Sequence, residues 1–139
     1  EHAEVGRGNM QRMAEFSIEF PKWNLLEMDL QDAVSEVESI CGNLDAAIID
    51  IAEPWTVVEG ISSNLRIGGR IACYCPTTAQ LEKSWNAVEA TGLVVEFAGE
   101  MVERRWTKAG KGGVRPGNQP MGHTAFLLIG AKIAPVEEE

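Results

Sequence analysis

The chain reads as an α/β protein, because apolar runs of strand length alternate with helix-period segments as far as Gly92. That alternation predicts a mostly parallel sheet. Two long strand-like segments around a glycine-rich loop then predict an antiparallel carboxyl-terminal strand pair. At 139 residues, 45% hydrophobic, one domain fits, able to bury about two-thirds of the surface its unfolded chain exposes.

Each element has a local reason. Residues 1–13 read as a helix already under way at Glu1, without a methionine, so the chain is expected to be the later part of a longer one. Trp23 to Leu30 reads as a strand, with Leu25, Leu26, Met28 and Leu30 apolar and Asp29 near its end. Ala33 to Ile40 fits a short helix. Leu44 to Ile51 is a continuous apolar run of the kind covered on both faces in a parallel sheet, with Asp50 at its carboxyl edge. Glu53-Pro54-Trp55 opens a helix with proline in its first turn, and Val57, Val58, Ile61 and Leu65 give it an apolar stripe.

Gly68-Gly69 is expected to turn the chain back into a buried strand, Arg70 to Cys75, that Pro76 ends. Thr77 or Thr78 caps the next helix, with Gln80 three residues after Thr77, and Gly92 stops it. Leu93 to Trp106 reads as one long strand. A loop with Gly110, Gly112, Gly113, Pro116, Gly117 and Pro120 follows, then a strand from Thr124 to Ile133. Residues 1–134 form the expected domain and 135–139 a mobile acidic tail.

Charge narrows the partners. A net charge of -9 argues against a protein that coats nucleic acid indiscriminately. Yet Arg104, Arg105, Lys108, Lys111 and Arg115 fall in one stretch without an acid, which leaves seven basic residues against all 21 acids in the rest of the chain. That stretch is either a landing place for a polyanion or a solvated loop. No apolar run approaches the roughly 20 residues that span a bilayer. Three cysteines, at 41, 73 and 75, suggest neither a disulfide framework nor a zinc site, and with no leader visible they point to a reducing cytoplasm.

In open α/β sheets ligands collect beyond the carboxyl ends of the strands. Asp29, Asp50 and Tyr74 are the residues expected there. Either carboxylate is a cap or turn former, or an acceptor for an amine or an adenine amino group. Trp55 is a stacking face or core. Tyr74 points away from Cys73 and Cys75, to stack on a base or pack under a helix. His123 opens the last strand, as a structural histidine or a ligand-facing one. No metal-ligand spacing, nucleophile elbow, Walker loop or Gly-x-Gly-x-x-Gly turn is present.

Taken in order, Asp50-Ile51-Ala52-Glu53-Pro54-Trp55, Gly68-Gly69-Arg70-Ile71-Ala72-Cys73-Tyr74-Cys75-Pro76-Thr77, Gln80, Arg115-Pro116 and Gly122-His123-Thr124-Ala125-Phe126-Leu127 resemble the tRNA (adenine-N1)-methyltransferase family. These enzymes use S-adenosylmethionine to methylate N1 of adenosine 58 in the tRNA T-loop. The resemblance implies a Rossmann-like class I methyltransferase fold with strand order three-two-one-four-five-seven-six, lacking the first two strands, so that a gap or repacking is expected beside the third. It also implies a cytoplasmic homotetramer with tRNA as partner, S-adenosyl-L-methionine as cofactor and no metal.

By the same resemblance Asp29, Asp50 and His2 approach the cofactor, Asp50 and Tyr74 form the catalytic pocket, and Tyr74, His123, Arg104, Arg105 and Arg115 meet the tRNA. Ala52 stands where the family often has proline, which alters loop stiffness but removes no chemistry. The chain alone is expected to bind cofactor poorly. The competing readings are a methyltransferase with another substrate and a non-catalytic tRNA-binding subunit of the same fold.

Overall fold

The computed structural model describes residues 2–117 and 124–135. Helix α1 (His2–Glu15) and helix α2 (Leu30–Cys41) precede strand β1 (Leu44–Ile49). A 3-10 turn at Pro54–Thr56 leads into α3 (Val58–Asn64), β2 (Leu65–Cys75), α4 (Thr78–Ala90) and β3 (Val94–Gly99). Two short strands, β4 (Trp106–Lys108) and β5 (Val114–Pro116), come before β6 (Phe126–Ala131). The main sheet has the order β1-β2-β6-β3, and β4 and β5 form a separate two-stranded sheet.

Strand directions follow the expected class. β1 and β2 are parallel, and β6 runs antiparallel to both of its neighbours, β2 and β3. The α/β fold with an antiparallel closing pair is therefore as read from the sequence, and the four strands fit the places four, five, seven and six of the expected order.

The pleat sorts the sheet into two faces. Ile49, Cys73, Leu128 and Ala98 form one row across the four strands, by successive pairing of Ile49 with Cys73, Cys73 with Leu128 and Ala98 with Leu128. Their side joins Val57, Val58 and Ile61 of the 3-10 turn and α3, and Val88 of α4, in one core. The next row, Ile48, Ala72, Ile129 and Phe97, lies on the opposite face. There Ile48 is 83% exposed.

Several local expectations hold. Thr77 and Gln80 make the reciprocal cap of α4, and Gly92 adopts φ +78° after that helix. Pro54 stands in the first turn of its helical segment, although that turn is 3-10 and α3 follows it. Cys73 and Cys75 are both buried and Tyr74 faces the other way.

Others are corrected. Trp23 to Leu30 is not a strand: Leu30 already belongs to α2, and the preceding residues pair with nothing in either sheet. A strand exists only through a neighbour's hydrogen bonds, and among the described residues the edge of β1 away from β2 offers none to this segment. β1 is covered on one face, not two, because the helices that pack on the sheet lie on the Ile49 side.

Gly68-Gly69 does not turn the chain but lies within β2, where the register against β1 slips between Leu44 and Ala46. Gly68 takes φ +81°, and a Cβ on Gly69 would stand 2.9 Å from the Arg66 carbonyl oxygen. Both glycines thus serve a bulge, one by conformation and one by space. The long strand from Leu93 to Trp106 is two: β3 ends at Gly99, where its pairing with Leu127 of β6 ends, and Trp106 starts a hairpin inside the supposed loop. The closing strand runs over Phe126–Ala131, shorter at both ends than expected.

Candidate functional site

The candidate site is built at the carboxyl ends of β1 and β2. Asp50 is exposed and follows Ile49, whose partner across the ladder is Cys73; one step further along β2 stands Tyr74. The two parallel strands therefore deliver the carboxylate and the phenol to neighbouring positions on one rim. Tyr74 is 42% exposed and pairs with Leu127 of β6, which in turn pairs with Gly99 of β3. This gives the tyrosine a half-apolar neighbourhood with an open side.

Local chemistry fixes the loop that leaves Asp50. The Gln80 side chain accepts from the Thr77 backbone N–H at 3.0 Å, and its Nε2 donates to the Ala52 carbonyl at 2.9 Å. One amide thus clamps the Asp50 loop to the amino end of α4. Sequence spacing marks Gln80 as a cap partner; its bond to Ala52 needs the tertiary fold. Trp55 lies on the helical side, with the Lys83 ammonium 4.5 Å from its ring centroid. It lines a groove of about 590 Å³ with Glu59, Ser62, Ser63 and Lys132, among others, away from the rim. The Lys132 ammonium is spent there on the carbonyls of Ser62 and Leu65, at 2.9 and 2.8 Å.

Of the other residues read from the sequence, Asp29 is not at a strand end. It is the N-cap of α2, its carboxylate accepting from the Gln31 N–H at 2.9 Å. That corrects its place in the fold and supplies a local reason for the acid. His2 is exposed at the start of α1, a helix tied to the segment before α2 by an Arg7–Glu27 ion pair. His123 lies outside the described residues. Neither Asp29 nor His2 is connected to the rim by a described hydrogen bond.

The basic residues gather elsewhere. Arg104 and Arg105 precede β4, Arg105 donating to Glu103 at 2.8 Å, an exposed pair of little energetic weight. Arg115 stands on β5 opposite Thr107. Cys73, buried against the core, has its thiol pushed up to about 12 by burial and, secondarily, by Cys75. It is a packed, neutral thiol and not a nucleophile. Among the described residues no group of three His, Cys, Asp or Glu side chains could hold a metal ion, and no helix is long and apolar enough to cross a membrane.

The Asp50 carboxylate at this rim suits part of the S-adenosylmethionine that the resemblance implies, since it offers acceptor oxygens for an ammonium or an amino group. The sulfonium methyl itself needs no protein ligand.

Comparison with known proteins agrees with this architecture. The chain is 28% identical over 124 residues to the tRNA (adenine(57)-N(1)/adenine(58)-N(1))-methyltransferase TrmI of Methanocaldococcus jannaschii, covering 87% of this chain and 42% of that protein. Among solved structures it is similar to an SAM-dependent O-methyltransferase of Thermotoga maritima, with TM-score 0.72 and 22% identity, over 98% of this chain and 48% of the other. A putative methyltransferase of Thermoplasma acidophilum gives TM-score 0.64 and 27% identity, over 90% and 51%. The tRNA (m1A58) methyltransferase TrmI of Aquifex aeolicus gives 0.56 and 26%, over 66% and 36%. No family model matches. The chain thus spans about half the length, or less, of these four proteins. Its fold is the α/β fold of the class I S-adenosylmethionine-dependent methyltransferases.

Proposed function

We propose that this chain is part of the catalytic domain of an S-adenosylmethionine-dependent methyltransferase acting on N1 of adenosine in the tRNA T-loop, at position 58. The observation that carries the reading is the delivery of Asp50 and Tyr74 to neighbouring positions at the carboxyl ends of two parallel strands. The likeness to the archaeal TrmI over most of this chain supports the tRNA substrate.

Adenine N1 has an in-plane lone pair and needs no strong base. S-adenosylmethionine, held in part by Asp50, would supply an electron-poor methyl to N1, and the methylated base would carry a positive charge. The protein's tasks are then to hold a flipped base in line and to stabilise that charge. Asp50 accepts a hydrogen bond from the exocyclic N6 amino group and favours the cationic ring, an electrostatic role and not proton abstraction. Tyr74 walls the base pocket. Gln80, by holding the Ala52 carbonyl, keeps the Asp50 loop in place.

Asp29 and His2 are assigned to the cofactor side, and His123 with Arg104, Arg105 and Arg115 to the tRNA side, on the family resemblance. Asp29 has a cap to maintain as well, so its loss affects α2 as well as binding. A homotetramer and a cytoplasmic location belong to the same proposal. In the alternative, the fold serves a methyltransferase with another substrate, as the O-methyltransferase likeness suggests.

The test is transfer of labelled methyl from S-adenosylmethionine to a tRNA transcript by the full-length protein, mapped by reverse transcription. The expected product arrests the transcriptase at the T-loop adenosine, because N1 methylation blocks its pairing edge, and an adenosine-to-guanosine transcript abolishes it. Label in small hydroxylated acceptors and none in tRNA would overturn the reading.

A further inference from the structure

The β4–β5 hairpin is the part of the molecule that the main sheet and its core leave unexplained. Its pairs are Trp106 with Pro116, Thr107 with Arg115 and Lys108 with Val114. By strand alternation Trp106, Lys108, Val114 and Pro116 share one face, and Thr107 and Arg115 the other. Trp106 is 64% exposed and Val114 70%.

The ribbon is held in register at both ends. The Ala109 N–H donates to the Gly113 carbonyl at 2.9 Å and the Gly112 N–H to the Ala109 carbonyl at 3.0 Å, a tip made possible by φ of +91° and +82° at Gly112 and Gly113. At the base the Gly117 N–H donates to the Arg105 carbonyl at 2.8 Å. An indole thus stands out on an arm that carries Lys108, Lys111 and Arg115, with Arg104 and Arg105 just before its base, on a chain otherwise strongly acidic.

The two features together select the occupant. An acidic protein surface would use the cations but has no need of an exposed indole, and an apolar partner would use the indole but be repelled by desolvating the cations. A nucleic acid with unpaired bases uses both, phosphates on the charges and a base on the ring. Resting on the reading of tRNA as substrate, we propose that the hairpin is a single-strand RNA clamp: Trp106 stacks on an unpaired loop base while Lys108, on the same face, and Lys111, near the tip, hold the flanking phosphates.

The experiment measures binding of a fluorescein-labelled T-loop RNA stem-loop, and of a blunt duplex of the same stem, by anisotropy across a salt series. Wild type is compared with Trp106→Ala, Trp106→Phe and the double variant Lys108→Ala/Lys111→Ala. Stacking predicts that Trp106→Ala weakens the stem-loop about tenfold or more, spares the duplex and leaves the salt slope unchanged, with Trp106→Phe retaining most of the affinity. The double variant weakens both RNAs and lowers the salt slope by about two.

Stem-loop binding unchanged in Trp106→Ala, or lost equally for the duplex, overturns the clamp. So does a shift in sedimentation to a smaller oligomer in that variant, which would make a second copy the occupant. The assay needs no methyl transfer, so a protein that binds through Trp106 but leaves adenine unmethylated sinks only the enzymatic reading. One that methylates tRNA with an indifferent Trp106 sinks only the clamp.

Discussion

Two adjacent rows of the same sheet behave in opposite ways. Ile49, Cys73, Leu128 and Ala98 lie on the face covered by α3 and α4, with Cys73 and Leu128 fully buried; one residue along each strand, Ile48, Ala72, Ile129 and Phe97 lie open or half-open. The composition of the two rows is similar, so hydrophobicity does not separate them. What separates them is which face has helices on it. The covered face holds the fold together, and the candidate site lies where the open face meets the rim, at Asp50 and Tyr74.

The contrast can be broken first in the covered row. Leu128→Ala is expected to cost about 2–5 kcal/mol in urea unfolding, since a fully buried leucine leaves a cavity. A cost under about 1 kcal/mol would mean that this row is not the core. Next comes Gly130, on the same face: a Cβ there would stand 2.6 Å from Cγ1 of Val88 and 3.2 Å from Cγ2 of Ile71. Gly130→Ala should therefore destabilise by about 1–3 kcal/mol through overpacking, and paired with Val88→Ala it should recover part of that loss.

Cys73 sharpens the comparison through pH. Its thiol is raised from an ordinary 9.0 to about 12 by burial, so the native state holds the proton more tightly than the unfolded chain. Its contribution is complete below pH 9.0 and is lost as pH climbs through about 12. Urea stability should fall on that limb, and Cys73→Ala should flatten the fall. Under native conditions at neutral pH, iodoacetamide should label the exposed Cys41 and leave Cys73 unmodified until unfolding, as read by mass spectrometry. Smallest of all, Ile48→Ala on the open face should change the stability of this chain by no more than about 0.5 kcal/mol.

What the sequence disclosed was whatever is decided locally. The Thr77–Gln80 cap, proline in the first turn at Pro54, the stop at Gly92 and the opposite facing of Tyr74 from its cysteine neighbours each depend on a few adjacent residues. Pairing decides the rest and is not local. Trp23 to Leu30 has strand composition but no neighbour to bond with, and Asp29 turns out to start a helix. Gly68-Gly69 looks like a turn until the register of β2 against β1 shows a bulge. The break between β3 and β4 follows from where pairing with β6 ends.

The site divides along the same line. Asp50 was legible as an acid ending an apolar run, and Tyr74 as a residue facing away from two buried neighbours. Gln80's bond to Ala52 was not, since it joins residues 28 apart in sequence.

We propose that the Asp50 carboxylate, at the end of β1, faces the reacting base. The most direct measurement is single-turnover methyl transfer to tRNA by Asp50→Ala in the full enzyme, beside its thermal unfolding midpoint. Asp50→Ala is expected to lose about a hundredfold or more, the size expected for removing an electrostatic contact made in the transition state, with the midpoint nearly unchanged because Asp50 is exposed. Transfer at the wild-type rate by a folded Asp50→Ala protein would contradict it.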